Sequence, residues 1–361
     1  MCITCTEQQS SGITQSSEAT YLDYFGCSFV KTIASSCVET LECSSCDLLT
    51  TIESTCINLK TLISRNCPLL ITIPNTFVNL TFLNFSNCRL VSTIPSTLYN
   101  LQTLRCFDCP LLTEIPESLV NLLNLNCAGC VLLTNIPATL VKLETLNCSG
   151  CHALTIIPST LVNLRSLNCD YCSLFSNIPA NLVKLTDLHC SYCPLLTFIP
   201  STCINLQILG CCHCPLLSCI PSTCVNLLAL DCYACSGLTT LPSTMVLLQT
   251  LQCWSCPKLT SIPSTLVKLS RLSCCECSLL MNVPSTLVNL NYLHCTGCPY
   301  LYIPFKFQKK LQFKKVNNKI AVFASKLKRR WIRIQRQKMT GLLQNNTIPR
   351  VLNEIISSYL F

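Results

Sequence analysis

The chain has 361 residues, of which half are apolar, 34 are cysteine and 11% are charged. This length suits two ordinary globular domains or one long repeat array. The apolar residues are dispersed, so there is no run of roughly 18 apolar residues of the kind that forms a transmembrane helix. The opening residues lack the basic and apolar regions of a secretory signal. We therefore expect a protein without a transmembrane segment that resides inside the cell, in the cytoplasm.

Positive charge is concentrated at the C-terminal end. Residues 305–361 contain 14 basic residues and one acidic residue, a net charge of +13. Residues 1–304 contain 11 basic and 15 acidic residues, a net charge of −4. The net +9 of the chain therefore belongs to its end, and two regions with different functions are predicted.

Two segments precede the regular part of the chain. Residues 1–20 are mostly polar, and we expect them to form a disordered leader. Residues 21–37 hold a less regular version of the repeat that follows them. Because an array of repeats needs covered ends, residues 21–37 are predicted to form an N-terminal cap.

A repeat of constant length occupies residues 38–304. Leucine recurs at every twenty-first position from Leu41 to Leu293, and proline after an aliphatic residue does so from Pro74 to Pro284. The leucines define thirteen units, and a single unit of this kind cannot bury its apolar face alone. We predict that the units stack into one array.

The pattern inside a unit predicts its local structure. Leu167 and Cys169 alternate with polar neighbours, which is typical of a short, half-buried strand. Ile178, Leu182 and Leu185 follow at the spacing of one helical face. Each unit is therefore predicted to contain a strand, a turn and a short helical or 3₁₀ return.

The string L-x-x-L-x-C-x-x-C-x-x-L-x-x-I-P-x-x-L resembles the leucine-rich repeat. The Cys-x-x-Leu step resembles the cysteine-containing subclass, the L-T-x-I-P segment resembles the plant-type and bacterial ones, and the highly repetitive array resembles repeat proteins of mimivirus-like giant DNA viruses. The resemblance implies an α/β repeat solenoid, a horseshoe with a parallel strand ladder over residues 38–304. It also implies binding of another protein through the concave strand face, in the host cytoplasm if the protein is viral.

Eleven of the thirteen units carry Cys-x-x-Cys, a spacing typical of zinc ligands or redox pairs. Ser64 and Phe85 replace the first cysteine in the other two units. A metal site would lose a ligand there, whereas a core position only changes volume. Core packing of free thiols is therefore favoured over metal ligation and over disulfides, with the second thiol donating to the backbone turn. Cys212 and Cys275 interrupt the pattern and are expected to face outward.

Consecutive units also carry aromatic residues between the two cysteine positions, and two acidic residues lie near them. The aromatic residues are Tyr171, Tyr192, His213, Tyr233 and Trp254. Asp187 and Asp231 are the acidic ones. Tyrosine and tryptophan dominate binding hot spots, so these seven residues are predicted to bind a partner. The alternative is that the rings cover one another as ordinary surface.

No catalytic motif accompanies the repeats. The sequence has neither G-x-S-x-G nor a phosphate-binding glycine loop, and its histidines have no carboxylate or serine partner at a repeating spacing. We therefore predict a non-enzymatic interaction scaffold that needs no cofactor or metal.

From residue 305 the period breaks, and residues 305–361 are predicted to form a basic helical region. Apolar residues at helix spacing alternate there with the basic residues Lys326, Lys328, Arg329, Arg330, Arg333 and Arg336. One interpretation is a helix that caps the array. Others are contact with a calmodulin-like protein or an anionic membrane surface, or contact with nucleic acid.

Residues 348–360 begin with Ile-Pro and continue with apolar residues at helix spacing. This segment resembles the opening helix of an F-box, which implies an alternative function as a substrate-recruiting adaptor of a ubiquitin ligase. An F-box normally precedes the repeats and has two more helices, so simple packing of a terminal helix is the competing interpretation.

Overall fold

The structure is a computed structural model that describes residues 20–308. Its strands and single short helix are β1 (Tyr21–Asp23), β2 (Thr32–Ile33), β3 (Thr40–Glu42), β4 (Thr51–Ile52), β5 (Thr61–Ile63), β6 (Phe82–Asn84), β7 (Thr103–Arg105), β8 (Asn124–Asn126), β9 (Thr145–Asn147), β10 (Ser166–Asn168), β11 (Asp187–His189), β12 (Ile208–Gly210), β13 (Ala229–Asp231), β14 (Thr250–Gln252), β15 (Arg271–Ser273), β16 (Tyr292–His294) and α1 (Phe305–Gln308). Each repeat unit from β5 onward contributes one short strand.

Fourteen strands pair in parallel, in chain order, to form one sheet, and β2 pairs with β4 in a separate two-stranded sheet. The register places leucine against leucine: Leu167 lies opposite Leu146 on one side and Leu188 on the other. The period of the sequence repeat is therefore also the step of the ladder. The chain is the parallel-strand solenoid that its pattern predicts.

The core lies behind the sheet and takes one apolar residue from about every third position. The strand leucine Leu167, the thiols of Cys169 and Cys172, and Leu182 are fully buried. Backbone bonds from Phe175 to Cys172 and from Leu182 to Pro179 each close a tight turn. Consecutive turns thus bring side chains into the core in the same way that one helical face would.

The prediction of helical or 3₁₀ returns is wrong for these units. Within residues 20–308 only α1 is helical, and each return is a series of turns. The spacing of Ile178, Leu182 and Leu185 fits a helical face, but it equally fits turns that close every third residue. Spacing alone cannot separate these two backbones.

Side chains complete the hydrogen bonding between neighbouring returns, where the strand ladder does not reach. The Thr160 hydroxyl donates to the Ala138 carbonyl at 2.6 Å, and the Asn163 amide donates to the Val141 carbonyl at 2.8 Å. Equivalent bonds recur along the array. They supply partners to backbone carbonyls that would otherwise lack them, which explains why threonine and asparagine recur at these positions.

The ends of the described region continue the same core. Residues 21–37, predicted to be a cap, form the first turn of the ladder, with Leu22 opposite Leu41. At the other end Phe307 of α1 is 1% exposed. None of the helices in residues 20–308 has the length and apolar character needed to cross a bilayer. The predicted leader and most of the basic C-terminal region lie outside the described residues.

We expect Thr160→Val to lower the free energy of unfolding by about 1 kcal/mol, because it keeps the side-chain shape and leaves the Ala138 carbonyl without its donor. The measurement is the urea midpoint of the variant against that of the unmodified chain. Thr155→Val is the matched control, since Thr155 is exposed in the same unit. Equal midpoints for both variants would show that the hydrogen bonds from the threonine hydroxyls to the neighbouring returns add nothing to stability.

Candidate functional site

The Cys-x-x-Cys positions form two buried columns. Cys169 and Cys172 are both 0% exposed, as are the equivalent cysteines of most units. No group of three or more histidine, cysteine or acidic side chains in residues 20–308 is arranged to hold a metal ion. The geometry matches core packing. Cys27, which precedes the Cys-x-x-Cys units, is disulfide-bonded.

The second cysteine of each unit links neighbouring turns. In thirteen successive units from Cys46 to Cys298, its thiol donates to a backbone carbonyl of the preceding unit, at 2.9–3.4 Å. The carbonyls of Ser64 and Phe85 accept these bonds as well as the carbonyl of a cysteine does. The predicted role of the second thiol as a backbone donor is confirmed, and it does not require a cysteine at the first position.

The first cysteines of the Cys-x-x-Cys pairs form a column of unreactive thiols. Burial raises the pKa of the Cys43, Cys190 and Cys274 thiols well above the usual value. These groups therefore remain protonated at neutral pH. Since the thiolate is the form that attacks electrophiles and binds metals, the column acts as apolar core.

Cys212 and Cys275 do not face outward as predicted. They are 3% and 7% exposed, and burial raises the pKa of Cys212 to about 12. The Tyr233 side chain of the following unit interacts with Cys212, so the surroundings of this thiol include a residue of another unit. The exposed thiol in the described region is that of Cys219.

The five predicted aromatic residues form one continuous ring stack. Ring centroids are 4.4 Å apart from Tyr171 to Tyr192, 4.2 Å from Tyr192 to His213 and 4.1 Å from Tyr233 to Trp254, with planes within 17° of parallel. His213 meets Tyr233 edge-on, at 5.3 Å and 88°. Both geometries are favourable for aromatic pairs, at about 0.5–1.5 kcal/mol for each contact beyond area burial. We call these five residues the ring stack.

The backbone explains the edge-on contact. In each unit the residue before the second cysteine has a positive φ, and Tyr171, Tyr192 and His213 occupy this position with φ of 60°, 58° and 53°. Tyr233 and Trp254 stand one residue earlier in their units. The stack therefore changes its backbone position between His213 and Tyr233. A positive φ costs a bulky residue of order 1 kcal/mol, which the stacking contacts offset.

Exposure differs along the ring stack. Tyr171 is 52% exposed, whereas the other four rings are half-buried. The rings therefore cover one another's faces, as the alternative interpretation anticipates. Their edges remain open, and Tyr171 also keeps one face uncovered.

The two predicted acidic residues lie on the strand face beside the ring stack. Asp187 accepts a bond from the Thr186 hydroxyl at 2.6 Å. Asp231 has a buried carboxylate oxygen with no hydrogen-bond partner among the described residues. Burial raises the pKa of Asp231, while His189 and a bond with Gln252 act in the opposite direction.

His189 is a site residue that the sequence analysis missed. It interacts electrostatically with Asp170 and Asp231, which lie in different units, an arrangement that no repeating spacing in the sequence predicts. A Cβ on Gly210 would lie 2.9 Å from Nδ1 of His189. The signal in the sequence is this glycine. It lies in the unit between those of His189 and Asp231, and its lack of a side chain leaves room for the imidazole ring of His189.

Two shallow polar grooves run along the edge of the sheet where the chain enters the strands, whereas the ring stack follows the ends of the strands. One, of ≈ 790 Å³, extends between Asn58 and Lys142, and the other, of ≈ 550 Å³, between Arg165 and Leu247. Their walls are tied together by bonds such as that from Lys142 to Asn121, at 2.8 Å. We predicted no role for this edge from the sequence.

Several predictions fall outside residues 20–308 and remain predictions. They are the calmodulin, membrane and nucleic-acid contacts of the basic tail residues Lys326, Lys328, Arg329, Arg330, Arg333 and Arg336. The F-box-like segment over residues 348–360 and its alternative adaptor function also lie there.

Comparison with known proteins identifies the repeat. The family model described as Leucine Rich Repeat matches residues 79–101, 100–122 and 142–164. No curated protein matches the chain by sequence.

Solved structures show the same fold. The functional domain of InlJ from Listeria monocytogenes, described as including a cysteine ladder, is 20% identical with a TM-score of 0.62, over 81% of this chain and 66% of that one, just under two thirds. A leucine-rich-repeat protein of Leptospira interrogans is 19% identical with a TM-score of 0.57, over 80% and 86%. The effector YopM from Yersinia pestis is 18% identical with a TM-score of 0.54, over 79% and 85%. The chain has the fold of a leucine-rich-repeat solenoid of about 13 turns.

We expect a thiol-reactive reagent at neutral pH to modify Cys219 rapidly in the native protein. Cys212 and Cys275 should react as slowly as the buried cysteines of the Cys-x-x-Cys columns. The reason is that burial removes access to these two thiols and keeps Cys212 protonated. Peptide mapping after a short pulse measures this, with the urea-unfolded chain as the fully labelled control. Rapid native labelling of Cys212 would contradict its burial.

We expect Asp231→Asn to raise the urea midpoint at pH 7. Because folding raises the pKa of Asp231, the protonated form of this carboxyl is favoured in the folded chain. Its contribution to stability is complete below the unfolded pKa of 3.8 and is lost as the pH rises through the folded pKa. The difference between variant and unmodified chain should shrink on acidification towards pH 3.8. Asp47→Asn, at an exposed site, is the control and should change little. A variant less stable than the unmodified chain at pH 7 would contradict the sign.

Proposed function

We propose that this leucine-rich-repeat solenoid is a non-enzymatic scaffold that binds another protein through its strand face. The observation that carries the proposal is the ring stack, in which centroids 4.1–5.3 Å apart hold five aromatic side chains in one row. Aromatic residues dominate the energetics of protein interfaces. Tyr171, Tyr192, His213, Tyr233 and Trp254 are therefore the proposed centre of the interface.

Stacking prepares these rings for binding. An ordinary surface side chain loses about 0.5–1.5 kcal/mol of rotamer freedom when a partner immobilises it. A ring held between two others has already lost that freedom on folding, and its edge stays accessible because Tyr192, His213 and Tyr233 are only half-buried. Rigid aromatic anchors of this kind give contact area at low entropic cost.

The surface around the ring stack suits a protein partner. Most strand residues beside it are small or polar, such as Ser166 and Asn168, and Ile208 adds an exposed apolar side chain on the same face. Asp187 and Asp231 add negative charge on the same face. Charges at such a rim direct orientation and association more than they add affinity.

The proposed function of the chain is binding and not catalysis. The most numerous nucleophilic groups of the chain are the thiols of the Cys-x-x-Cys columns. These thiols are buried, and those of the second column donate to backbone carbonyls, as Cys172 does to Cys148. Free thiols such as Cys219 are typical of reducing compartments, and they outnumber the disulfide-bonded Cys27 among the described cysteines. On this balance we propose a location inside the cell.

The test compares immobilised baits in a native extract, with captured proteins quantified by mass spectrometry. One bait is the unmodified chain and the other carries Tyr192→Asn, His213→Asn, Tyr233→Ser and Trp254→Ser. These replacements come from the chain itself: asparagine holds the same positive-φ position at Asn66 and Asn87, and serine stands at Ser191. We expect partners captured by the unmodified chain to fall about tenfold or more with the variant, as loss of hot-spot side chains implies.

Tyr99→Ser is the matched control, because Tyr99 is 49% exposed but lies on a return, away from the ring stack. Urea midpoints of all baits establish that they are folded. If the ring-stack variant and the control recover the same proteins in the same amounts, the ring stack is not an interface.

A further inference from the structure

The ring stack ends at Tyr171 with one free face. Tyr192 covers the other face at 4.4 Å and 9°. Before Tyr171, the same position is occupied by Gly150 and Gly129, with φ of 71° and 70°. Because equivalent positions of successive units lie in a row, the free face of Tyr171 looks over two residues that have no side chain. Its 52% exposure reflects this gap.

The gap has the dimensions of one flat group. A Cβ built on Gly150 would meet only the backbone of Gly129, at 3.6 Å and 3.7 Å. Successive strands of a parallel ladder are about 4.8 Å apart. A planar group above Gly150 would therefore lie at stacking distance from Tyr171, where Tyr192 lies on the opposite side.

A carboxylate forms the far wall of the gap. The Asp108 side chain extends over Gly129, with its Oδ1 only 2.2 Å from the point that a Gly129 Cβ would occupy. Within residues 20–308, no other side chain forms an ion pair with this exposed carboxylate. We call the space bounded by Asp108, Gly129, Gly150 and Tyr171 the glycine slot.

Charge around the glycine slot favours a cation. The segments 126–129, 147–150 and 168–171 form its floor and one wall, and they contain no lysine or arginine but do contain Asp170. Arg105, in the unit of Asp108, lies 5.6 Å from the centre of the Phe82 ring in the preceding unit, so it extends away from the slot. A cation in the slot would meet the face of an aromatic ring on one side and a carboxylate on the other.

The chain itself contains a similar contact. Arg271 lies over the ring of Tyr292, with Cζ 4.8 Å from the ring centroid, and the two residues pair on neighbouring strands. An arginine one unit away from a tyrosine is thus at the right distance for cation–π stacking. Guanidinium is planar and more weakly hydrated than the ammonium group of lysine, so it stacks on rings more readily.

We propose that the glycine slot receives an arginine side chain of the protein partner, with its guanidinium stacked on Tyr171 and attracted by Asp108. This inference rests on the proposed scaffold function, because it names one contact of that interface. The slot supplies selectivity at one end of the ring stack.

The test uses N-acetyl-arginine amide as probe and the full chain labelled with ¹³C at the tyrosine ε positions. The Tyr171 signal is identified by its loss in Tyr171→Asn. We expect this signal to move saturably on titration, with a dissociation constant on the order of millimolar, as a single exposed side-chain contact implies. Tyr99, which is 49% exposed elsewhere, reports non-specific binding and should not move.

Two variants examine the walls of the slot. Asp108→Asn should weaken the response by about threefold or more, since it removes one charge partner. Gly150→Asn should abolish it by filling the slot, and asparagine is compatible with this backbone because Asn66 and Asn87 hold the same position. Asp47→Asn, at an exposed site outside the slot, is the charge control and should bind like the unmodified chain.

Comparison of probes decides the chemistry. N-acetyl-citrulline amide is planar but neutral, and N-acetyl-lysine amide is charged but not planar, so both should bind more weakly than the arginine probe. Equal responses to citrulline and arginine, an unchanged response in Asp108→Asn, or a stronger response to N-acetyl-tyrosine amide would overturn the proposal. The titration needs no partner, so its failure is distinguishable from failure of the bait experiment, which tests the scaffold function alone.

Discussion

Every feature of this solenoid depends on the parallel pairing of each strand with the equivalent strand of the next unit. Leu167 lies opposite Leu188, and Leu188 opposite Leu209, without a slip in register. Once this pairing is set, all other equivalent positions are also placed in rows along the array. The thiol bonds of the second cysteine and the amide and hydroxyl bonds of the returns run in these rows and join neighbouring turns. Stability therefore grows through contacts between nearest neighbours.

Because of this register, substitutions at one repeat position in successive units produce features that extend over several units. Aromatic residues in five successive units become a ring stack, and two glycines before them become a slot that exposes one ring face. Neither feature exists within one unit. The repeated residues build the core, and the residues that depart from the repeat build the surface on which the proposed function rests. A chain with units of equal length can thus acquire a binding site by substitution without disturbing its fold.

Repetition also decided which parts of the structure were predictable. The role of the cysteines followed from Ser64 and Phe85, which replace the first cysteine while the second thiol still bonds to their carbonyls. The row of rings followed from their recurrence in consecutive units. By contrast, Cys212 was expected at the surface, because nothing in its own unit shows that it is buried and interacts with Tyr233 of the next unit. The contacts of His189 depend in the same way on a glycine in the next unit and a carboxylate two units away.

The sequence by itself determined the repeat, the strand positions and the register, because an invariant leucine at every twenty-first position allows only one alignment of equivalent strands. It also determined which residues share a row. Only the tertiary structure decided that the returns are turns and not helices, since the apolar spacing fits both. It likewise decided which ring faces are covered and which thiols are buried. Those properties depend on how a side chain leans towards the unit before or after it, and that direction is set by packing between units.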